Sequence, residues 1–143
     1  MRLHDALNRF YYDQTLNELR LMNENTLYPN ITYNSLLYLD LIAYREDCTA
    51  SYLAKALNIS KSAVTIKVNE LIRQGLVVKT RSEADRRVYY LHVSPEVEED
   101  YRRYDRRLDN AVRAVTQRYG DDEVEQLCDM LDLIRKRYAE DPG

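Results

Sequence analysis

The sequence predicts a mainly α-helical chain with one small β-hairpin, and three observations carry that prediction. Apolar residues recur at helical spacing, most cleanly at Val97, Tyr101, Tyr104, Leu108, Ala111, Val112, Val115 and Tyr119. β-branched and aromatic residues crowd into two short runs, 76–80 and 88–93, with a charged stretch between them. Breakers are scarce: three Gly and three Pro in 143 residues, none of them inside these patterns.

The first helix spans 3–23, free of internal Gly and Pro, and its apolar residues fall on two arcs. Leu3, Leu7, Phe10 and Tyr11 share one arc, while Tyr12, Leu16 and Leu19 lie nearly opposite. A helix apolar on two sides is packed between two bodies, one of them a partner subunit. Tyr28-Pro29-Asn30 is a break, because Pro29 disfavours helix at the preceding residue. Thr32 caps the next helix, which runs to about residue 43 with Leu36, Leu37, Leu39, Ile42 and Ala43 for the core. Thr49 starts a short helix that buries Leu53, Ala54 and Leu57. Asn58-Ile59-Ser60 is a tight turn, Ser60 caps a helix to residue 74, and Gly75 sits where a left-handed residue ends it. A hairpin follows, with Arg81 to Arg87 as its basic tip. Ser94 and Pro95 restart the helix, which continues for about 25 residues, or about 37 Å. Gly120 ends it, and Asp121 or Asp122 caps a last helix striped by Val124, Leu127, Cys128, Leu131, Ile134 and Tyr138.

Composition narrows the function. A chain of 143 residues closes one core and predicts one domain. No apolar run is long enough to span a membrane and no apolar segment follows Met1, so the expected location is the cytoplasm. Two cysteines and two histidines supply neither a disulfide framework nor a metal-ligand set, and no cofactor motif is present. With no Gly-rich phosphate loop and no nucleophile elbow, an enzyme is not expected. The net charge of -3 speaks against a nucleic-acid partner until it is divided. Residues 45–93 hold nine Lys or Arg against five acids, a net +4, which leaves -7 for the remainder. The basic charge lies where phosphates would be met.

Helix, tight turn, second helix and a hairpin with an Arg-rich tip follow the order of a winged helix-turn-helix. The major groove of B-form DNA admits one α-helix, and short polar side chains near its N-terminus reach base edges. Here that helix begins Ser60-Lys61-Ser62-Ala63-Val64-Thr65-Ile66-Lys67. Val64, Val68, Leu71 and Ile72 turn inward, leaving Lys61, Ser62, Thr65, Ile66, Lys67 and Asn69 outside. The hairpin tip can set Arg86 or Arg87 into the minor groove, whose negative potential attracts guanidinium groups.

The run from Ala54 to Thr65 resembles the helix-turn-helix of the MarR (multiple antibiotic resistance regulator) family. Leu71-Ile72-Arg73-Gln74-Gly75-Leu76-Val77 is similar to that family's helix exit, and Arg81, Asp85-Arg86-Arg87 and Leu91-His92-Val93-Ser94 to its wing. The resemblance implies a single domain over 1–143, with a DNA-binding lobe at 32–94 flanked by dimerisation helices at 1–31 and 95–143. It implies that Ser62, Ala63, Thr65 and Lys67 face the major groove, and that Arg87 enters the minor groove. Ser60, Lys61, Ile66, Arg81 and Arg86 complete the expected DNA-binding set, and Asp85 orients either Arg81 or Arg87. Many family members carry Arg where Ile66 stands and an apolar residue where Lys67 stands. No bidentate guanine contact can therefore come from position 66, and an apolar contact to a thymine methyl is the alternative.

The implied function is a sequence-specific transcription regulator, a repressor on a pseudo-palindromic operator, bound to double-stranded DNA as a homodimer and released by a small-molecule effector. Leu3, Leu7, Phe10, Leu127, Leu131, Ile134 and Tyr138 are the expected dimer contacts, because long stripes of this kind exceed what one small globule buries. Tyr11, Tyr12, Tyr38 and Tyr44 are candidates for an effector pocket, although tyrosine as plain core and interface filler is the simpler account of 13 of them. Two other functions compete. One is a winged-helix protein-interaction module. The other is a thiol sensor built on Cys48, just before a helix N-terminus where a thiol pKa falls, with Cys128 packed on the last stripe. Arg102, Arg103, Arg106 and Arg107 are expected to pair with interleaved acids, and His4 and His92 to have no special role.

Overall fold

A computed structural model describes residues 1–24 and 29–140. Its helices start where side-chain oxygens can accept the first free backbone N–H groups. α1 is Leu3–Glu24 and α2 is Tyr33–Tyr44. Thr32 Oγ1 accepts the Ser35 N–H at 3.1 Å to open α2. Thr49 does the same for Tyr52, opening α3 (Ala50–Leu57), and Ser60 for Ala63, opening α4 (Lys61–Arg73). Of the expected break before α2, Tyr28 lies outside the described residues, while Pro29 and Asn30 form a turn with Asn30 at φ 61°.

The turn between α3 and α4 is local chemistry. Asn58 takes the left-handed conformation at φ 54°, its N–H donating to Lys55 O and that of Ile59 to Ala54 O. This paired closure is repeated after α4, where Gly75 at φ 74° donates to Ile72 O and Leu76 to Leu71 O. The chain then enters β1 (Val77–Arg81), which pairs antiparallel with β2 (Tyr89–Val93) from Val77↔Val93 to Arg81↔Tyr89. The Cys48 backbone joins the outer edge of β2: its carbonyl accepts the Leu91 N–H at 2.7 Å.

Around this frame the core of the lobe closes. Leu36, Leu39 and Ile42 of α2, Leu53 and Ala54 of α3, and Val64, Val68 and Leu71 of α4 are buried with Val77 and Leu91. α5 (Pro95–Arg118) sends Val97 of its first turn into full burial, and Ser94 Oγ accepts the Val97 N–H. Three residues expected in the core are not there: Leu37, Ala43 and Leu57 are exposed. α2 is apolar nearly all round, so spacing could not choose its inner face. Packing against β2 chose the side bearing Leu36, Leu39 and Ile42.

The described residues group into two compact units, one within Met1–Glu98 and one within Glu99–Gly143. In the first, α1 has no buried residue, and its Glu18 accepts a 2.7 Å hydrogen bond from the Tyr33 hydroxyl at the start of α2. That bond to a carboxylate raises the Tyr33 pKa. In the second unit, α6 (Asp121–Tyr138) also has no buried residue. Its cap is Gly120 rather than Asp121 or Asp122: the Gly120 N–H donates to Glu123 Oε2 at 2.9 Å, so the carboxylate folds back from within the first turn. Arg102 pairs with Glu99 at 2.8 Å, and Asp132 pairs with both Arg135 and Lys136, which lowers the Asp132 carboxyl pKa. Cys128, expected to be packed, is exposed in the single chain, as are Leu127 and Leu131 on the same helix.

Candidate nucleic-acid interface

α4 presents two contrasting faces. Val64, Val68 and Leu71 point into the core, with Ile72 half-buried beside them. Ser62, Ala63, Thr65 and Ile66 are exposed on the other side, in the N-terminal half that Ser60 anchors. At about 100° per residue, Ile66 stands opposite the mean direction of the buried residues, and it is 68% exposed. Lys67 behaves differently from the rest of the expected set. Its ammonium lies 3.6 Å from Glu70 Oε2 and its side chain is mostly covered, so it is held back against its own helix.

The hairpin tip is built around one carboxylate. Asp85 Oδ1 accepts both the Arg87 backbone N–H (3.0 Å) and the Arg87 Nε–H (3.1 Å), while Oδ2 accepts from Nη2 (3.1 Å). This settles which arginine Asp85 orients: Arg87, not Arg81. The Arg87 guanidinium beside it holds the Asp85 carboxyl below the usual carboxylate range. Buried Ser82 closes the turn from the other side, accepting the Asp85 N–H and donating its own to Val88 O. Arg81 is drawn inward along the hairpin, its Nε–H donating to Arg86 O at 2.8 Å.

One group here was not singled out from the sequence. Tyr89, opposite Arg81 in the ladder, has the Arg81 guanidinium 5.4 Å and the Lys79 ammonium 4.9 Å from its ring centroid. Aromatic faces attract cations at these separations, so Tyr89 steers both along the wing. The signal was legible as two cations two residues apart on β1, but the pairing register that opposes them to an aromatic is tertiary. Lys79 then joins Lys61, Thr65, Asn69 and Arg87 around a groove of about 350 Å³ between the N-terminus of α3, the flank of α4 and the wing. The structure thus brings the helix and the wing cation Arg87 to one concave surface. Arg86 is exposed at the tip but does not line it.

The four candidate effector tyrosines are dispersed in burial. Tyr38 is buried in the lobe, Tyr44 is 95% exposed, and Tyr11 and Tyr12 are exposed on α1. None lines the groove. Cys48 departs from expectation: its side chain is fully buried, and burial pushes the thiol pKa up, with the charge of Arg45 opposing only in part. A thiol activated by the adjacent helix is therefore contradicted. The Thr49 hydroxyl takes the first-turn N–H of that helix, and the sulfur faces the core instead. His92 hydrogen-bonds Thr80 Oγ1 across the hairpin at 3.0 Å. Among the described residues no three His, Cys, Asp or Glu side chains gather as a metal site, and no helix is long and apolar enough to cross a membrane.

A helix-turn-helix with a capped second helix, an exposed polar N-terminal half and a two-stranded basic wing defines the winged helix-turn-helix class. Comparison with known proteins narrows this. Residues 30–88 match the model of the MarR family. A protein of Thauera aromatica, assigned by inference as a transcriptional regulatory protein for the hcr operon, is 29% identical over 105 residues, which are 73% of this chain and 63% of that relative's length. Among solved structures, FabT of Streptococcus pneumoniae in complex with DNA superposes with a TM-score of 0.64 at 22% identity, covering 94% of this chain and 96% of that one. The adhesin competence repressor AdcR of Streptococcus pyogenes gives 0.58 at 26% identity, covering 96% and 98%. Residues 30–88 are thus similar to the MarR family, and the described fold is that of a winged helix-turn-helix regulator such as AdcR.

Proposed function

We propose that this protein is a sequence-specific DNA-binding repressor that acts as a homodimer on a pseudo-palindromic operator. The observation that carries the proposal is the convergence of α4 and Arg87 on one groove edged by Lys61 and Lys79. Cations so placed meet phosphates on either side of a groove, while the uncharged face of α4 is left for base edges. FabT, similar in fold, is seen in complex with DNA, and AdcR is named a repressor; both support the choice. Lys61, Ser62, Ala63, Thr65 and Ile66 would lie in the major groove, with Ser60 fixing the helix start. Arg87, held by Asp85, would enter the minor groove, and Arg86 would meet the backbone beside it. Lys67 and Arg81, both tied to intramolecular partners, would contribute less.

Two half-sites about one helical turn apart are read when two copies associate. The flanking segments 1–31 and 95–143 supply that association. α1 and α6 offer Leu3, Phe10, Leu127, Leu131 and Tyr138 as exposed apolar side chains, with Leu7 and Ile134 half-covered. A small-molecule effector would act by changing the separation of the two recognition helices. Selection from random duplex DNA tests the function directly. Enrichment of an inverted repeat supports it, whereas enrichment of nothing points to a protein-interaction module instead.

A further inference from the structure

On the DNA-binding function proposed above, we infer that Ile66 is the specificity-determining residue of α4, and that it reads a thymine through its 5-methyl group. Three observations converge on it. Ile66 stands at the pole of the exposed face of α4, opposite Val64, Val68 and Leu71, and is 68% exposed. It is a β-branched side chain, stiff at χ1 in a helix, so it projects as a fixed apolar knob rather than folding back. The cations around it point elsewhere. Lys67 is tied to Glu70, and Lys61, Lys79 and Arg87 line the groove along one flank. Arg73 shares the meridian of Ile66 but lies seven residues on, about 10 Å along the axis, at the end of α4 that leaves the groove.

The chemistry follows from what a major groove displays at its floor. Guanine offers two acceptors, which need a paired donor such as arginine; adenine and cytosine also present hydrogen-bonding groups. An isoleucine pressed against any of these would strip water from a polar group and return nothing. Only thymine offers an apolar group there. The charged flank makes the match productive, because a phosphate met by Lys79 and the minor-groove contact of Arg87 hold the knob against the base edges. Charge thus supplies position, and one aliphatic side chain supplies part of the sequence preference.

The test uses the operator obtained by selection, rebuilt with each thymine in turn replaced by deoxyuridine, which removes only the methyl group. For the unaltered protein, one such position per half-site should weaken binding about fourfold, the worth of one buried methyl. Replacing both symmetric positions should then cost about fifteenfold. In Ile66→Ala, a surface substitution that leaves the core intact, the same replacement should have no further effect. Selection repeated with Ile66→Arg should exchange that thymine for guanine. Indifference of the unaltered protein to deoxyuridine at every position overturns the inference while leaving DNA binding in place. So does an undiminished deoxyuridine effect in Ile66→Ala. Failure to enrich any duplex removes the DNA-binding function itself, and the inference with it.

Discussion

Asp85 and Arg87 form the most directed contact of the wing, a carboxylate that engages its neighbour through backbone and side chain together. The guanidinium is otherwise exposed, so the pair is worth more as orientation than as stability. Arg87→Ala should weaken DNA binding and reduce the slope of log affinity against log salt by about one unit if the lost contact is a phosphate. Asp85→Asn keeps Arg87 but loosens it, and should weaken binding with the salt slope unchanged. The Asp85 pKa is lowered by Arg87, so the pair is complete above the ordinary carboxylate range and is lost only as pH falls through the depressed value. A carbon-13 titration of the Asp85 carboxyl should therefore show a lower midpoint in the unaltered protein than in Arg87→Ala. Equal midpoints would mean that the pair does not persist in solution. The choice of Arg87 over Arg81 could not be read from the chain, since both lie within reach of Asp85 in sequence. It turns on the Ser82 and Val88 hydrogen bonds that curl the tip back on itself.

α4 is placed by its two ends. At the start, Ser60 satisfies an N–H that would otherwise be free; at the finish, Gly75 lets the chain turn left and run into β1. A Cβ added at Gly75 meets nothing within 4 Å, so the position demands backbone freedom rather than space. Gly75→Ala should therefore cost about 1–2 kcal/mol, the penalty of a left-handed conformation for an L-residue. Urea unfolding should show this as a lower midpoint at unchanged slope. A cost near zero would place the strain elsewhere. These capping signals were legible because they are local: a hydroxyl and an N–H three residues apart meet whatever surrounds them. The inner face of α2 was not legible, and neither was the annealing of Cys48 to Leu91, which joins residues 43 positions apart. That contact also bears on the thiol-sensor alternative built on Cys48. Its sulfur is enclosed where the chain meets the sheet, and a raised pKa withholds the thiolate that oxidants attack.

The molecule divides its charge as it divides its elements. The +4 carried by residues 45–93 contrasts with -7 over the rest, so on the proposed function a duplex would be drawn to the 45–93 segment. α1 and α6 leave Phe10, Leu127 and Leu131 open to solvent, an apolar exposure that association would relieve. Light scattering should report a dimer for the unaltered chain and a shift toward monomer for Leu131→Glu, accompanied by loss of binding to an inverted repeat. A monomeric unaltered protein would remove the dimer from the mechanism.

The order of elements, the capping residues of α2, α3 and α4, the turn at Asn58 and the basic hairpin were determined by the sequence alone. Each depends on interactions within a few residues or on a period of two or nearly four. The tertiary structure alone decided that Arg87 is the oriented arginine and that Tyr89 gathers Lys79 and Arg81. It also covered most of the Lys67 side chain and buried Cys48, whereas the outward place of Ile66 on α4 already followed from helical spacing. These depend on register and on which of several apolar faces packs inward. Both are settled by competition among contacts distant in sequence, so local pattern carries no trace of the outcome.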